Sequence, residues 1–225
     1  MKVIIFCGGK GTRLNKNLKK KILKPLLLVN KKPILKYIIE IYNKYNFNHF
    51  ILLGGYKIKD LIKFKDKNKK KFRIEVFNTG LNTNTGGRLL KLKNKIKNEP
   101  FFLTYGDSLI EYSPKKALRI WKKNNKKFLM TIFSYPFSYG RLELNKKNEL
   151  KNFIEKKEIL INAGYYILDN RIFKYIKGDE SFEKKTIPRI LKSKKLKFLT
   201  QKTKFWYPVD TIEDKINIKK ILSET

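Results

Sequence analysis

The chain has 225 residues, with 54 Lys or Arg against 19 Asp or Glu, which gives a formal net charge of +35. Hydrophobic residues make up 41% of the chain, enough for a packed core, so the composition excludes a globally disordered protein. One cysteine excludes a disulfide framework, one histidine excludes a histidine-based metal cluster, and no apolar run reaches the roughly 18 residues of a membrane span.

Strand and helix patterns alternate through residues 1–135. Short β-branched or aromatic runs predict strands over 2–6, 49–53, 73–77, 101–105 and 128–133, and helical spacing predicts helices that begin at 33, 86 and 114. The Lys-rich run 63–71 is interpreted as a polar loop. This alternation predicts an α/β fold with a mostly parallel central sheet flanked by helices. The first apolar run is too short for a signal peptide, so we expect a cytoplasmic protein with Cys7 reduced.

The pattern changes near residue 138, and residues 136–225 are expected to contribute a small β-rich portion. Apolar and polar residues alternate on both sides of a Lys-Lys-Asn turn, which predicts a hairpin over 141–154. A long strand is predicted over 160–168. Short helices, two late strands and a last helix over 211–222 are predicted to follow. No linker is long enough to separate two domains, so we expect one domain over 1–225 with halves 1–135 and 136–225.

Lysine supplies 47 of the 54 positive charges and is scattered along the chain. Sequence-specific nucleic-acid recognition favours the planar, forked guanidinium of arginine, and compositional drift toward lysine would give the same excess. We therefore interpret the charge as a solvated surface, with a polyanion-binding surface as the alternative. On the first interpretation no nucleic-acid partner is expected.

Two glycine-rich segments follow predicted strands, at the sheet edge where α/β proteins bind ligands. The first is GGKGTR over residues 8–13, whose glycines allow backbone N–H groups to approach an anion and whose arginine suits a phosphate. The second is NTGLNTNTGGR over 78–88, which leads into a predicted helix and presents N–H groups in the same way. A plain turn and a flexible connector are the respective alternatives.

Acidic residues are scarce, and two of them stand at predicted strand ends. Asp107 follows the most apolar strand, and Asp210 precedes the last helix. Two such carboxylates can share one Mg²⁺, which takes few carboxylates together with substrate phosphates, although a helix N-cap is an alternative role for Asp210. Lys24 precedes a proline in extended chain and, taken alone, is a solvated lysine. Cys7 and His49 are expected at the edge of the core.

Several motifs stand together in a fixed order along the chain: GGKGTRL with KP ten residues later, TGGRL, FFLTYGD, FIEKK, INAGYYIL and FWYPVDT. In this order they resemble the sugar-1-phosphate nucleotidylyltransferases, most closely the branch that transfers a cytidylyl group to glucose 1-phosphate. The resemblance covers nearly the whole chain and implies a Rossmann-like nucleotidyltransferase fold. It implies a reaction in which a nucleoside triphosphate and a sugar 1-phosphate give an NDP-sugar and pyrophosphate, with Mg²⁺ as cofactor. Such a product would serve polysaccharide biosynthesis. The resemblance is also compatible with a homo-oligomer.

The same resemblance implies a role for each matching position. The catalytic residues would be Arg13, Lys24 and Asp107. The nucleotide-binding residues would be Gly8, Gly9, Gly11, Thr12, Arg13, Lys24, Thr85, Gly86 and Gly87. The sugar-phosphate-binding residues would be Gly140, Glu155, Lys156, Asn162 and Gly164, and the metal ligands Asp107 and Asp210. In this scheme Thr12 and Arg13 hold the β- and γ-phosphates, and Lys24 lies at the α-phosphate.

Three departures from the family pattern leave the substrate pair open. The chain is shorter between Tyr56 and the TGGRL motif, Lys157 stands where a proline is usual, and Ala163 replaces one glycine of a pair. The base could therefore be thymine or uracil, and the acceptor a phosphate other than glucose 1-phosphate. A basic polyanion-binding module on an inactive transferase fold is the alternative from another class, and the intact set of expected catalytic and metal residues argues against it.

Overall fold

The computed structural model describes residues 1–16, 18–96, 98–125, 127–137, 139–155 and 158–223. The strands are β1 (Lys2–Phe6), β2 (Leu28–Val29), β3 (Lys32–Pro33), β4 (His49–Gly54), β5 (Arg73–Asn78), β6 (Phe101–Tyr105), β7 (Ser108–Ile110), β8 (Phe128–Tyr135), β9 (Arg141–Leu144), β10 (Leu150–Ile154), β11 (Ile159–Leu168), β12 (Phe198–Thr203) and β13 (Trp206–Pro208). The α-helices are α1 (Thr12–Asn15), α2 (Ile34–Asn43), α3 (Ile58–Asn68), α4 (Thr85–Leu90), α5 (Pro114–Lys123), α6 (Ile187–Ser193) and α7 (Ile212–Ser223). Within these described ranges, no helix has the length and apolar character needed to cross a membrane.

Seven strands form the central sheet, in the order β12-β8-β11-β6-β1-β4-β5. Neighbouring strands are parallel except at β11, which runs antiparallel to both β6 and β8. The predicted mostly parallel sheet is therefore confirmed. Strands β11 and β12 come from residues 136–225 and join this sheet, so both expected halves of the chain contribute to it. The hairpin β9–β10 and the pairs β7–β13 and β2–β3 lie outside it.

Helices cover both faces of the sheet, and the alternation of β1 shows why. Val3 and Ile5 point into a buried cluster with apolar residues of α2, α3, α5 and α7. Ile4 and Phe6 point the opposite way, into a second cluster with residues of α4 and α6. A strand buried on both faces reads as a continuous apolar run, which is what β1, β4 and β6 show in the sequence.

The polar loop predicted over 63–71 is wrong for most of that stretch, because α3 extends from Ile58 to Asn68. Leu61 and Phe64 are buried three residues apart on the face that packs against the sheet. Lys59, Lys63 and Lys67 are exposed on the solvent side of the helix. High lysine density obscures an apolar stripe of only two or three residues, although that stripe is enough to anchor a helix on a sheet.

Candidate active site

Four parallel strands, β6, β1, β4 and β5, end at the same edge of the sheet. The loops that leave them carry the glycine-rich segment 8–13, the segment 78–88 and Asp107. This edge therefore collects the residues that the sequence places far apart, as expected for an α/β sheet.

The loop after β1 is held in a fixed shape by one glycine and one buried asparagine. Gly11 has φ +58°, a left-handed conformation that favours glycine, and α1 begins directly after it. Asn15, only 5% exposed, donates from Nδ2 to the carbonyl of Lys10 at 2.9 Å and accepts at Oδ1 from the N–H of Ile22 at 2.8 Å. Asn15 thus ties the loop to the segment that leads to Lys24. A lone asparagine carries no signal in the sequence that could have identified this role.

Lys24 reaches the site because a glycine lets two segments approach closely. The N–H of Gly106 donates to the carbonyl of Phe6 at 3.0 Å. A Cβ on Gly106 would lie 2.9 Å from Cγ of Pro25 and 3.0 Å from that carbonyl oxygen, so a side chain there would push the turn away. The glycine therefore permits the Lys24–Leu26 turn to pack beside Asp107.

Asp210 reaches the site through strand pairing. Strand β13 pairs antiparallel with β7, and the N–H of Val209 donates to the carbonyl of Asp107 at 2.9 Å. The cap of α7 is supplied by Thr211, whose Oγ1 accepts from the N–H of Asp214, and the Asp214 carboxylate accepts in return from two backbone N–H groups before the helix. The carboxylate of Asp210 is thereby left to the site rather than to the cap.

The charged side chains meet around one ammonium group. Lys24 Nζ donates to Asp107 Oδ2 at 2.8 Å and also to Asp210 Oδ1, and Arg13 Nη1 lies 2.8 Å from Asp210 Oδ2. Burial alone disfavours the charged amine, but the two carboxylates outweigh it and raise the pKa of Lys24 above its ordinary value. Lys24 is 12% exposed, whereas the Arg13 side chain, although paired with Asp210, is 75% exposed. The two predicted metal ligands are thus brought together.

Two neighbouring cavities open at this edge and share Gly9 and Asp107. The first, of about 250 Å³, is lined by the charged cluster and the loop after β1: Gly9, Gly11, Thr12, Arg13, Lys24, Asp107 and Asp210. The second, of about 430 Å³, is lined by glycines, hydroxyl groups, two carboxylates and two cations: Gly8, Gly9, Thr83, Thr85, Arg88, Tyr105, Asp107, Ser181, Glu183 and Lys184. Arg13 and Lys24 in the first cavity can bind phosphates, and the hydroxyl groups of the second can form hydrogen bonds with a polar ring.

Gly86 and Gly87 pack against a neighbouring segment. The N–H of Gly86 donates to the carbonyl of Glu180 at 2.8 Å, and a Cβ there would lie 2.6 Å from the same oxygen. A Cβ on Gly87 would overlap Asp179. The structure therefore uses both glycines for close packing, and among the three residues of TGG only Thr85 lines the second cavity. A contact of these glycines with a base stays a prediction.

Arg88 organises the loops around the site and was not among the expected site residues. Its buried guanidinium donates to the carbonyls of Gly8, Gly54 and Gly80, each at 3.0 Å. It therefore links the loops that follow β1, β4 and β5, and burial lowers its pKa. Its place as one of seven arginines in a Lys-rich chain is the signal that could have identified it.

Glu183 is a second site residue that sequence reasoning missed. Its carboxylate accepts from the hydroxyls of Thr85 at 2.8 Å and Ser181 at 2.7 Å, and from the hydroxyl of Tyr105. These bonds join the start of α4 to the end of β6 at the wall of the second cavity. Burial and the neighbouring Tyr166 and Glu183 raise the pKa of Tyr105 well above its ordinary value, so its hydroxyl stays a donor.

Asn162 and Gly164 lie at an irregularity in the pairing of β11 with β8. Gly164 has φ +77°, and the Tyr105 ring lies where a Cβ would project, so only glycine fits there. The N–H of Gly164 donates to Asn162 Oδ1 at 2.9 Å. The two residues are therefore joined to each other and, through Tyr105, to the second cavity.

The remaining expected sugar-phosphate residues lie at the hairpin. Gly140 precedes β9, with the ring of Phe153 packed where a side chain would project, and Glu155 follows β10 as an exposed residue. Lys156 lies outside the described residues. A role for Gly140, Glu155 and Lys156 in binding a sugar phosphate stays a prediction.

The nucleotidyl transferase family model matches residues 2–224, and the chain belongs to this family. A probable glucose-1-phosphate cytidylyltransferase of Bacillus subtilis is 30% identical over 100% of this chain and 97% of its own length. A D-glycero-alpha-D-manno-heptose 1-phosphate guanylyltransferase of Campylobacter jejuni is 34% identical over 81% of this chain and 82% of its own. The crystal structure of HddC from Yersinia pseudotuberculosis complexed with GMP-PN superimposes with a TM-score of 0.73 at 24% identity, over 98% of this chain and 99% of that one. These likenesses confirm the fold and the expected class, a nucleotidylyltransferase.

Proposed function

We propose that this enzyme condenses CTP with glucose 1-phosphate to give CDP-glucose and pyrophosphate. The observation that carries the proposal is the meeting of Lys24, Arg13, Asp107 and Asp210 beside the glycine loop after β1. The choice of CTP and glucose 1-phosphate rests on the full-length likeness to the Bacillus subtilis relative. Because the substrates are cytoplasmic metabolites, we propose that the enzyme acts in the cytoplasm.

The reaction needs no nucleophile from the enzyme. A phosphate oxygen of the sugar phosphate attacks the α-phosphorus of CTP, the new P–O bond forms as the bond to the β-phosphate breaks, and pyrophosphate leaves with the electron pair. Both reactants are anions, so catalysis consists mainly of holding them in line and offsetting their repulsion. Lys24 stays protonated because of its raised pKa, and Arg13 supplies a second, exposed cation for the leaving phosphates.

The two carboxylates also fit a magnesium ion. Asp107 and Asp210 direct oxygens toward one cationic group, and Mg²⁺ is usually held by one or two carboxylates together with substrate phosphates. When bound, Mg²⁺ would supply charge neutralisation between the phosphates.

A screen of released pyrophosphate tests the proposal. CTP, UTP, dTTP and GTP are each combined with glucose 1-phosphate, mannose 1-phosphate and a heptose 1-phosphate, with and without Mg²⁺. We expect the highest kcat/KM for CTP with glucose 1-phosphate, and activity that depends on Mg²⁺. Absence of pyrophosphate release in every combination would contradict the enzymatic proposal.

A guanylyl transfer to a heptose 1-phosphate is a second candidate. The Campylobacter jejuni relative, which carries that activity in its name, is 34% identical over most of both chains. The chemistry at Lys24 and the two carboxylates is the same in either case, so only the base and the sugar differ. A kcat/KM that is highest for GTP with the heptose phosphate would favour this candidate over the first.

A further inference from the structure

The loop that leads into α4 lines the second cavity, and its threonine hydroxyls are bonded within the protein. The hydroxyl of Thr83 donates to the carbonyl of Thr79 at 2.5 Å, and the hydroxyl of Thr85 donates to the carboxylate of Glu183 at 2.8 Å. Thr85 Oγ1 also accepts from the N–H of Phe182 at 2.9 Å. Neither hydroxyl proton is therefore left for a ligand in this cavity, and the Thr85 side chain serves to hold α4 in place.

Asn84, which also lines the second cavity, is oriented by a single carboxylate. Asp179 Oδ1 accepts from the backbone N–H of Asn84 at 2.7 Å, and Asp179 Oδ2 accepts from Asn84 Nδ2 at 3.4 Å. Because an ionised carboxylate has no proton to donate, the NH₂ end of the amide faces Asp179 and the carbonyl end is left for a ligand. Asn84 Oδ1 has no hydrogen-bond partner among the residues that the structure describes.

The other side-chain donors of the second cavity are bonded in the same way. The hydroxyls of Tyr105 and Ser181 both donate to Glu183, and the guanidinium of Arg88 donates to backbone carbonyls. Lys184, which is exposed, is the exception among the described side chains that line this cavity. The wall formed by the loop before α4 therefore offers a ring acceptor oxygens rather than side-chain donors.

We propose that Asn84 selects a nucleobase that carries an exocyclic amino group, which donates to Asn84 Oδ1. This inference rests on the proposed function, because it requires phosphates in the first cavity and the base in the second, and the two cavities share Gly9 and Asp107. Cytosine and guanine carry an amino group. Uracil and thymine have a carbonyl oxygen at the position of the cytosine amino group, so they would face Oδ1 with a second acceptor.

Kinetics with two matched nucleotides test the proposal. The probes are CTP and the triphosphate of the pyrimidin-2-one ribonucleoside, in which hydrogen replaces the amino group, each with glucose 1-phosphate. We expect the unmodified enzyme to prefer CTP about 10- to 100-fold in kcat/KM. Asn84→Leu should reduce this preference to less than about threefold by lowering only the value for CTP, whereas loss of a structural role would lower both values equally.

The matched control is Asn82→Leu, because Asn82 is an exposed residue of the same loop and lines neither cavity. This variant should keep the preference of the unmodified enzyme for CTP over the analogue. If no nucleotide is turned over, the same ratios are measured as dissociation constants by isothermal titration calorimetry.

Asp179→Asn tests the orientation of the amide if Asn84→Leu fails to fold. The new side chain keeps one oxygen for the backbone N–H of Asn84 and places an NH₂ group opposite the Asn84 side chain. The Asn84 amide then turns its carbonyl toward that NH₂ group and its own NH₂ toward the cavity. We expect the ratio of kcat/KM for CTP to that for UTP to fall about tenfold or more.

Three results would overturn the inference while activity with CTP leaves the proposed function standing. They are an equal loss for CTP and the analogue in Asn84→Leu, no preference for CTP in the unmodified enzyme, and an unchanged CTP-to-UTP ratio in Asp179→Asn. A preference for UTP or dTTP would overturn both. If GTP is preferred, the matched pair becomes GTP and ITP, which lacks the amino group of guanine. A preference for GTP over ITP that Asn84→Leu abolishes would then support the inference although the choice of CTP is wrong.

Discussion

Replacement of Lys24 by methionine tests the central interaction of the site. Lys24 Nζ contacts Asp107 and Asp210 at the lining of the first cavity, and the side chain is 12% exposed. A unit charge about 4 Å from a phosphate contributes on the order of 4 kcal/mol at an effective dielectric constant of about 20. Removing one preorganised charge of this kind costs about 3 kcal/mol in the transition state, so kcat/KM should fall roughly a hundredfold or more.

The assay is continuous release of pyrophosphate at saturating and limiting CTP. Lys59→Met is the control, because Lys59 is exposed on α3 and its loss changes the net charge by the same amount. Lys24→Met should also lower the free energy of unfolding by about 1–2 kcal/mol, since it leaves two half-buried carboxylates beside each other. If Lys24→Met kept kcat/KM within threefold of the unmodified enzyme, the assignment of this cation to the reacting phosphates would be wrong.

Three further changes follow from the structure. Asp107→Asn and Asp210→Asn should each reduce Mg²⁺-dependent pyrophosphate release at least about a hundredfold, and full activity in both would refute the metal assignment. Gly106→Ala should destabilise the fold by about 1–3 kcal/mol in chemical denaturation, because its Cβ would lie 2.9 Å from a proline ring, whereas Gly9→Ala, with no atom within 4 Å, should leave stability unchanged. Bonds from Arg189 lower the pKa of Glu180 from 4.5 to about 2, so this carboxylate stabilises the fold above pH 4.5 and loses that effect as the pH falls toward 2. The stability difference between the unmodified protein and Glu180→Gln, about 2 kcal/mol at neutral pH, should therefore close over pH 4.5–2, and a pH-independent difference would contradict this account.

The parallel sheet could be predicted because β1, β4 and β6 are buried on both faces and read as unbroken apolar runs. The helix α3 could not be identified in the same way, since its buried residues are few and lysines surround them. The spacing of apolar residues predicts which positions are buried only where enough of them are buried to give a pattern.

The candidate site, like the fold, could be predicted from the sequence only in part. Residue type and position were sufficient to nominate Arg13, Asp107 and Asp210, because arginine and acidic residues are scarce in this chain, whereas Lys24 was nominated only by the resemblance of the ordered motifs to the family. The structure alone determined that both carboxylates meet at one ammonium group, which depends on the pairing of β13 with β7. It also determined the roles of Arg88 and Glu183, whose partners come from other loops. A sequence records which groups are available, whereas the distances between groups far apart in the chain are fixed only when strands pair and helices pack.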